Sequence, residues 1–189
     1  MFALRAFIGR MVDRCFILLV PIAMISGVYT LRELCEAIAS DPERWRPMVF
    51  TNGCFDLIHA GHVRYLQAAK TLGRSLVVGL NSDESVVAIK PQQPGLPPRP
   101  IVPHSQRAEV LAALRAVDAV VIFSETTATE LISILKPDIY VKGGDYQLST
   151  LPEAPAVEAV GGKISLIKIE VPSSTSAIVK RILQFGSHP

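Results

Sequence analysis

Five short, nearly continuous apolar runs punctuate the chain: 48–50, 75–80, 118–123, 138–141 and 164–169. Each is too short for a helix and has no polar face, so each predicts a strand buried on both sides. Between them apolar residues recur at helical spacing. Leu31, Leu34, Cys35 and Ile38 follow Thr30, with Glu33 set three residues after Thr30 as in a capping box. A second helix fits from about His62, through Val63, Leu66 and Ala69, with Gly73 as its stop. Asn81-Ser82-Asp83 caps a third over 84–89, His104 or Ser105 opens a fourth running to Val117, and a fifth spans 126–135. A weaker helix covers 153–160 despite Pro155, and a last one follows Ser173-Ser174-Thr175-Ser176. Strand and helix in turn predict an α/β fold, a doubly wound parallel sheet of five strands with right-handed crossovers.

Two stretches fall outside this rhythm. Arg5, Arg10 and Arg14 precede an uncharged apolar run from Cys15 to Leu31 whose strongly apolar part is shorter than the roughly 20 residues a membrane span needs. The favoured reading makes residues 1–28 an extension and 29–189 the folded domain; contact of 1–28 with a membrane surface is the alternative. Residues 90–103 hold six of the 14 prolines, which excludes helix and central strand and leaves an exposed loop. Lys90 and Arg99 stand at its ends. They are either incidental charges on a solvated loop or cations carried over a bound anion.

Composition narrows the setting. Of 189 residues 49% are hydrophobic and 19% charged, a globular balance, and a net charge of +2 is too small for a nucleic-acid binder. Three cysteines, Cys15, Cys35 and Cys54, lack metal-ligand spacing and fit a reduced, cytoplasmic protein.

The chemistry concentrates in residues 47–73. After the first apolar run, Thr51-Asn52-Gly53 breaks the strand, and His59-Ala60-Gly61-His62 opens the following helix. A helix start offers free N–H groups and partial positive charge to a phosphate, Gly61 permits close approach, and two imidazoles donate into the same space and carry charge near neutral pH. Two helix-start histidines without a role are the plainer alternative. At the end of the fourth strand Lys142-Gly143-Gly144-Asp145-Tyr146 sits on the edge where parallel sheets bind ligands. The serine–threonine run at 173–176 exceeds what one N-cap needs and suggests a second phosphate contact. There is no Walker lysine loop, and no GxGxxG follows the first strand.

Thr51-Asn52-Gly53-Cys54-Phe55-Asp56 with His59-Ala60-Gly61-His62 resembles the signature of the HxGH nucleotidyltransferases, a cytidylyltransferase-like, Rossmann-like family. The likeness runs from about Tyr29 to Gln184. Asn81-Ser82-Asp83, Gln106-Arg107, Val117-Asp118 and Val141–Tyr146 are most similar to the heptose 1-phosphate adenylyltransferases. The resemblance implies direct in-line transfer of a nucleotide from ATP to a sugar phosphate, with Mg²⁺, pyrophosphate release and no covalent intermediate. It implies catalytic roles for His59, His62, Lys90 and Arg107. Thr51, Asn52, Gly53, Phe55, Gly61, Lys142, Gly143, Asp145, Ser174, Thr175 and Ser176 would hold the nucleotide. Asp56, Asn81 and Arg99 would face the acceptor substrate, no side-chain metal ligand is implied, and a homodimer is expected.

The chain departs from the family pattern twice: its Lys90–Arg99 link is longer and richer in proline, and Pro172 stands where the family has glycine. No kinase segment, which some heptose enzymes carry fused, is read here, which implies a separate kinase. Two other readings stand beside the first. One is CTP-dependent transfer to glycerol 3-phosphate or another polyol phosphate, against which counts the lack of an arginine just before Pro172. The other is a non-catalytic nucleotide-binding regulatory module.

Overall fold

The computed structural model describes residues 27–144, 147–168 and 174–186. Six parallel strands make one sheet: β1 (Val28–Tyr29), β2 (Met48–Gly53), β3 (Ser75–Asn81), β4 (Ala119–Phe123), β5 (Ile139–Gly143) and β6 (Lys163–Ile167), in the order β1-β4-β3-β2-β5-β6. The sheet has one strand more than the sequence pattern predicts. β1 is two residues long, Val28 and Tyr29 pairing with Val120 and Val121, and so short a strand leaves no periodic trace.

The helices among the described residues are α1 (Leu31–Ser40), α2 (Pro42–Trp45), α3 (Ala60–Lys70), α4 (Asp83–Ile89), α5 (His104–Ala112), α6 (Thr129–Leu135), α7 (Ala154–Ala159) and α8 (Thr175–Gly186). The capping box of α1 forms as predicted, Thr30 Oγ1 accepting from Glu33 N and Glu33 Oε2 accepting from Thr30 N. The single turn α2 escapes the pattern: Asp41 caps it by accepting from Arg44 N, and Pro42 fills its first position. Gly73 does not stop α3, which ends at Lys70. Its role is close packing, since a Cβ there would stand 2.6 Å from the Pro47 carbonyl oxygen. Helix α5 stops at Ala112, short of Val117, where successive i+3 turns through Leu114 tighten the chain. Ile169, the predicted end of the last strand, lies outside the described residues.

Strand period sorts the core. Met48 and Phe50 enter one apolar cluster with Leu34, Trp45, Ile132 and Val157, while Val49 enters the other with Leu66, Ala69 and Leu111. Helices therefore cover both faces, and every residue of β3 is buried. Two aspartates stitch the N-terminal ends of the strands. Asp118 Oδ2 accepts from Leu76 N at 2.6 Å and Lys70 Nζ at 2.5 Å. Asp138 Oδ2 accepts from Met48 N at 2.6 Å and Arg46 Nη1 at 2.9 Å.

The winding direction reverses at β2. Strands β3, β4 and β1 lie to one side, β5 and β6 to the other, which opens a crevice at the C-terminal ends of β2 and β5.

Candidate active site

β2 passes into Cys54-Phe55-Asp56 through a sharp bend. Phe55 takes a φ of 42°, a left-handed conformation uncommon for a bulky residue, and its ring lies 5.3 Å from that of His62. Gly53 makes room for the ring, since a Cβ there would stand 3.0 Å from it. His59 then occupies the N-cap of α3 in extended conformation and makes no side-chain capping bond. The imidazole is thus left to the crevice, and no side-chain acceptor from the cap takes the first-turn N–H groups.

One turn on, His62 stacks against His59 with ring centroids 3.8 Å apart and an interplanar angle of 25°. The Nδ1 atoms of both rings are buried with no hydrogen-bond partner among the described residues. Burial lowers the pKa of His59. Burial, and then the neighbouring His59, drive His62 down to about 4 against an opposing hydrogen bond with the Leu57 backbone. At neutral pH the pair is therefore uncharged, which corrects the expectation of cationic imidazoles; a neutral ring has one N–H, and that of His62 is directed to the Leu57 backbone.

Across the crevice stands the start of α8. Ser174 Oγ accepts from Ala177 N at 3.1 Å, so Ser174 is the cap, and Thr175 and Ser176 remain beside it. The two helix starts share one cleft of about 750 Å³, and Asn52, Gly53, Phe55, Asp56, Gly61, Asn81, Lys90, Arg99, Lys142 and Gly143 also line it. The loop after Lys90 contributes Pro91, Gln92, Gln93, Leu96 and Pro97.

Several residues sit differently from the sequence expectation. Arg107 does not line the cleft. Its side chain is wholly buried, with Nε donating to Val102 O at 2.8 Å, Nη1 to Cys54 O at 2.5 Å and Nη2 to Asp83 Oδ1 at 2.7 Å. The guanidinium ties the proline-rich loop, the β2–α3 bend and the start of α4 together. Thr51 is also out of reach, sharing a 2.7 Å hydrogen bond with the Tyr65 hydroxyl. Asp56 reaches the cleft with its carboxylate already engaged: it pairs with Arg99 Nε and accepts from Ile101 N and Val102 N. Asn81 braces α4 by donating to Ser85 Oγ at 2.8 Å. Asp145 lies outside the described residues.

The floor of the cleft is a buried polar group at the ends of β2 and β5. Asn52 Oδ1 accepts from Tyr140 OH at 2.7 Å and Lys142 Nζ at 3.0 Å. Burial lowers the Lys142 pKa, and Glu153, with Oε1 3.8 Å from Nζ, opposes that shift. Glu153 is a cleft residue that sequence reasoning missed; it falls in a weak helical stretch beside Pro155, with no motif to mark it. Cys54 is the other omission. Burial pushes its thiol upward, so it presents a neutral S–H.

Among the described residues no three His, Cys, Asp or Glu side chains converge, and the hydrogen-bonded Asp56 carboxylate has little capacity left. No helix among the described residues is long and apolar enough to cross a membrane.

Known proteins share this architecture. The chain is 47% identical over 158 residues to the bifunctional protein HldE of Citrifermentans bemidjiense, covering 84% of this chain and 31% of that protein. It is 48% identical over 154 residues to HldE of Syntrophotalea carbinolica, covering 81% and 30%. The chain thus spans less than a third of the length of these relatives. In fold it is similar to the lipopolysaccharide core biosynthesis protein from Thermoplasma volcanium, with a TM-score of 0.53, 24% identity, and 66% of this chain and 97% of that one covered. Residues 50–184, which carry both helix starts and the loop between Lys90 and Arg99, match the cytidylyltransferase-like family model, and the chain belongs to that family.

Proposed function

We propose that this chain is a nucleotidyltransferase that joins the nucleotide of ATP to a sugar phosphate, most specifically heptose 1-phosphate, and releases pyrophosphate. The observation that carries the reading is the pairing of two helix starts across one cleft, one bearing stacked neutral histidines and the other a capped Thr–Ser step. Identity near 47% to proteins named HldE supports the choice of a heptose phosphate over a polyol phosphate.

In this reading a phosphate oxygen of the acceptor attacks the α-phosphorus, and the bond from that phosphorus to the bridging oxygen of the β-phosphate breaks. His59 and His62 donate N–H bonds to the oxygens that gain charge, together with the backbone at the start of α3. The start of α8 holds the triphosphate. Lys90 and Arg99 hold the acceptor phosphate, with Asp56 orienting Arg99. Arg107 acts through the loop it ties down. Mg²⁺ on the phosphates neutralises charge on the leaving pyrophosphate. The reaction belongs to the cytoplasm, where ATP is held, and the transferase domain takes in Val28, which pairs with Val120 in the sheet, one residue ahead of the boundary expected from the sequence.

The test is product analysis after incubation with ATP and heptose 1-phosphate. Equal yields of a nucleotide-sugar and pyrophosphate are expected. Turnover with CTP and glycerol 3-phosphate instead would overturn the substrate assignment and leave the transfer chemistry.

A further inference from the structure

Glu153 has more acceptor capacity than the described residues fill. It is 3% exposed, lines the cleft and is held at the entry to α7, where its backbone carbonyl accepts from Ala156 N and Val157 N. One carboxylate oxygen, Oε1, receives a long hydrogen bond of 3.4 Å from Asn52 Nδ2. The nearest cation, Lys142 Nζ, stands at 3.8 Å, beyond hydrogen-bond distance. The other oxygen, Oε2, is buried and has no partner among the described residues.

The surroundings are fixed. The Tyr140 hydroxyl and the Lys142 ammonium both donate to Asn52 Oδ1, which turns the amide nitrogen toward Glu153. Buried carboxyl groups are rarely left in this state, because an acceptor removed from water needs donors around it.

The rest of the cleft narrows what supplies the missing donor. A carboxylate repels a phosphate, and the cleft offers a phosphate other groups: the two histidines, the start of α8, Lys90, Arg99 and Lys142. The uncharged part of the ligands bears O–H groups, and an O–H to a carboxylate is a short, strong hydrogen bond. We propose that Glu153 is a specificity-determining residue that accepts a hydrogen bond from an uncharged hydroxyl of a bound ligand, either the nucleotide ribose or the acceptor sugar. The proposal rests on the nucleotidyl-transfer reading of the same cleft. It adds a contact that discriminates ligands by one hydroxyl rather than by charge.

The experiment is calorimetric binding to the full chain of ATP, 2′-deoxy-ATP and 3′-deoxy-ATP, and of a sugar 1-phosphate with its monodeoxy analogues. It is run on wild type, Glu153→Gln and Glu153→Met, with thermal melting to establish that each variant is folded. Glu153→Gln keeps the shape and exchanges one acceptor for a donor; Glu153→Met removes both acceptors. The expected result is that one deoxy ligand binds wild type about tenfold or more weakly, the scale of a hydrogen bond to a charged group, and that this gap closes in both variants. Which ligand shows the gap identifies ribose or acceptor. Wild type that treats every deoxy analogue like its parent would overturn the proposal, and so would a gap that survives both substitutions. Failure of the transfer reading appears separately, as absence of pyrophosphate from wild type with every substrate pair.

Discussion

The imidazoles of His59 and His62 lie stacked 3.8 Å apart at the start of α3, and the Nδ1 of each is buried without a partner among the described residues. Two like groups so close disfavour a second charge, and burial disfavours even the first. In the proposed reaction the pair serves as neutral donors at one helix start. Removing one therefore strikes at charge that develops during the reaction. His62→Ala is expected to lower kcat at least about a hundredfold with a smaller change in nucleotide KM, as for loss of a transition-state donor. Steady-state kinetics check this, and unchanged kcat would remove the histidines from the mechanism.

The same burial makes stability depend on pH. His62 is held near 4 in the folded chain, below the 6.5 of an unburied histidine, and His59 is shifted the same way. The unfolded chain takes up protons near 6.5 that the folded chain refuses. Stability from this source is complete above that pH and is lost as pH falls toward 4. Urea denaturation is expected to give a lower midpoint at pH 5 than at pH 7.5, with a smaller difference in His62→Asn.

Arg107 offers a clear choice between two roles. Its buried guanidinium donates to Val102 O, Cys54 O and Asp83 Oδ1, and lysine cannot serve three acceptors in that fork. Arg107→Ala is expected to cost about 3–5 kcal/mol in stability, the scale of breaking a buried charge pair. Arg107→Lys should lower the melting temperature as well. A direct phosphate ligand would instead show weakened nucleotide binding at unchanged stability.

Asp56 and Arg99 form a latch between the β2–α3 bend and the proline-rich loop. Asp56→Asn removes the charge that orients Arg99. Acceptor KM is expected to rise about tenfold, with nucleotide KM nearly constant, on the scale of a charge-assisted hydrogen bond. Initial-rate kinetics with each substrate varied in turn separate the two; equal rises would place Arg99 on the nucleotide.

These assignments show what the sequence carries and what it hides. β2, β3 and β4 were legible because strands buried on both faces are written as apolar runs, as in Ser75–Leu80. The helix starts near His62 and after the 173–176 hydroxyl run are legible, the first from its apolar spacing and the second from capping chemistry, which is local. β1 and α2 were not, since two and four residues leave no period. Arg107 and Asp56 stand out as chemistry-bearing residues, but apart from Val102, five positions before Arg107, their partners stand 24–53 and 43–46 positions away, so sequence order does not reveal that their polar atoms are engaged. Glu153 meets Asn52 across 101 positions and no local motif marks it.

The most direct test of the central claim is pyrophosphate release with ATP or CTP, each crossed with heptose 1-phosphate and glycerol 3-phosphate. Release with ATP and heptose 1-phosphate, abolished in His62→Ala, is the predicted result. Nucleotide binding with no release from any pair would contradict the account and leave the cleft as a nucleotide receptor without transfer chemistry.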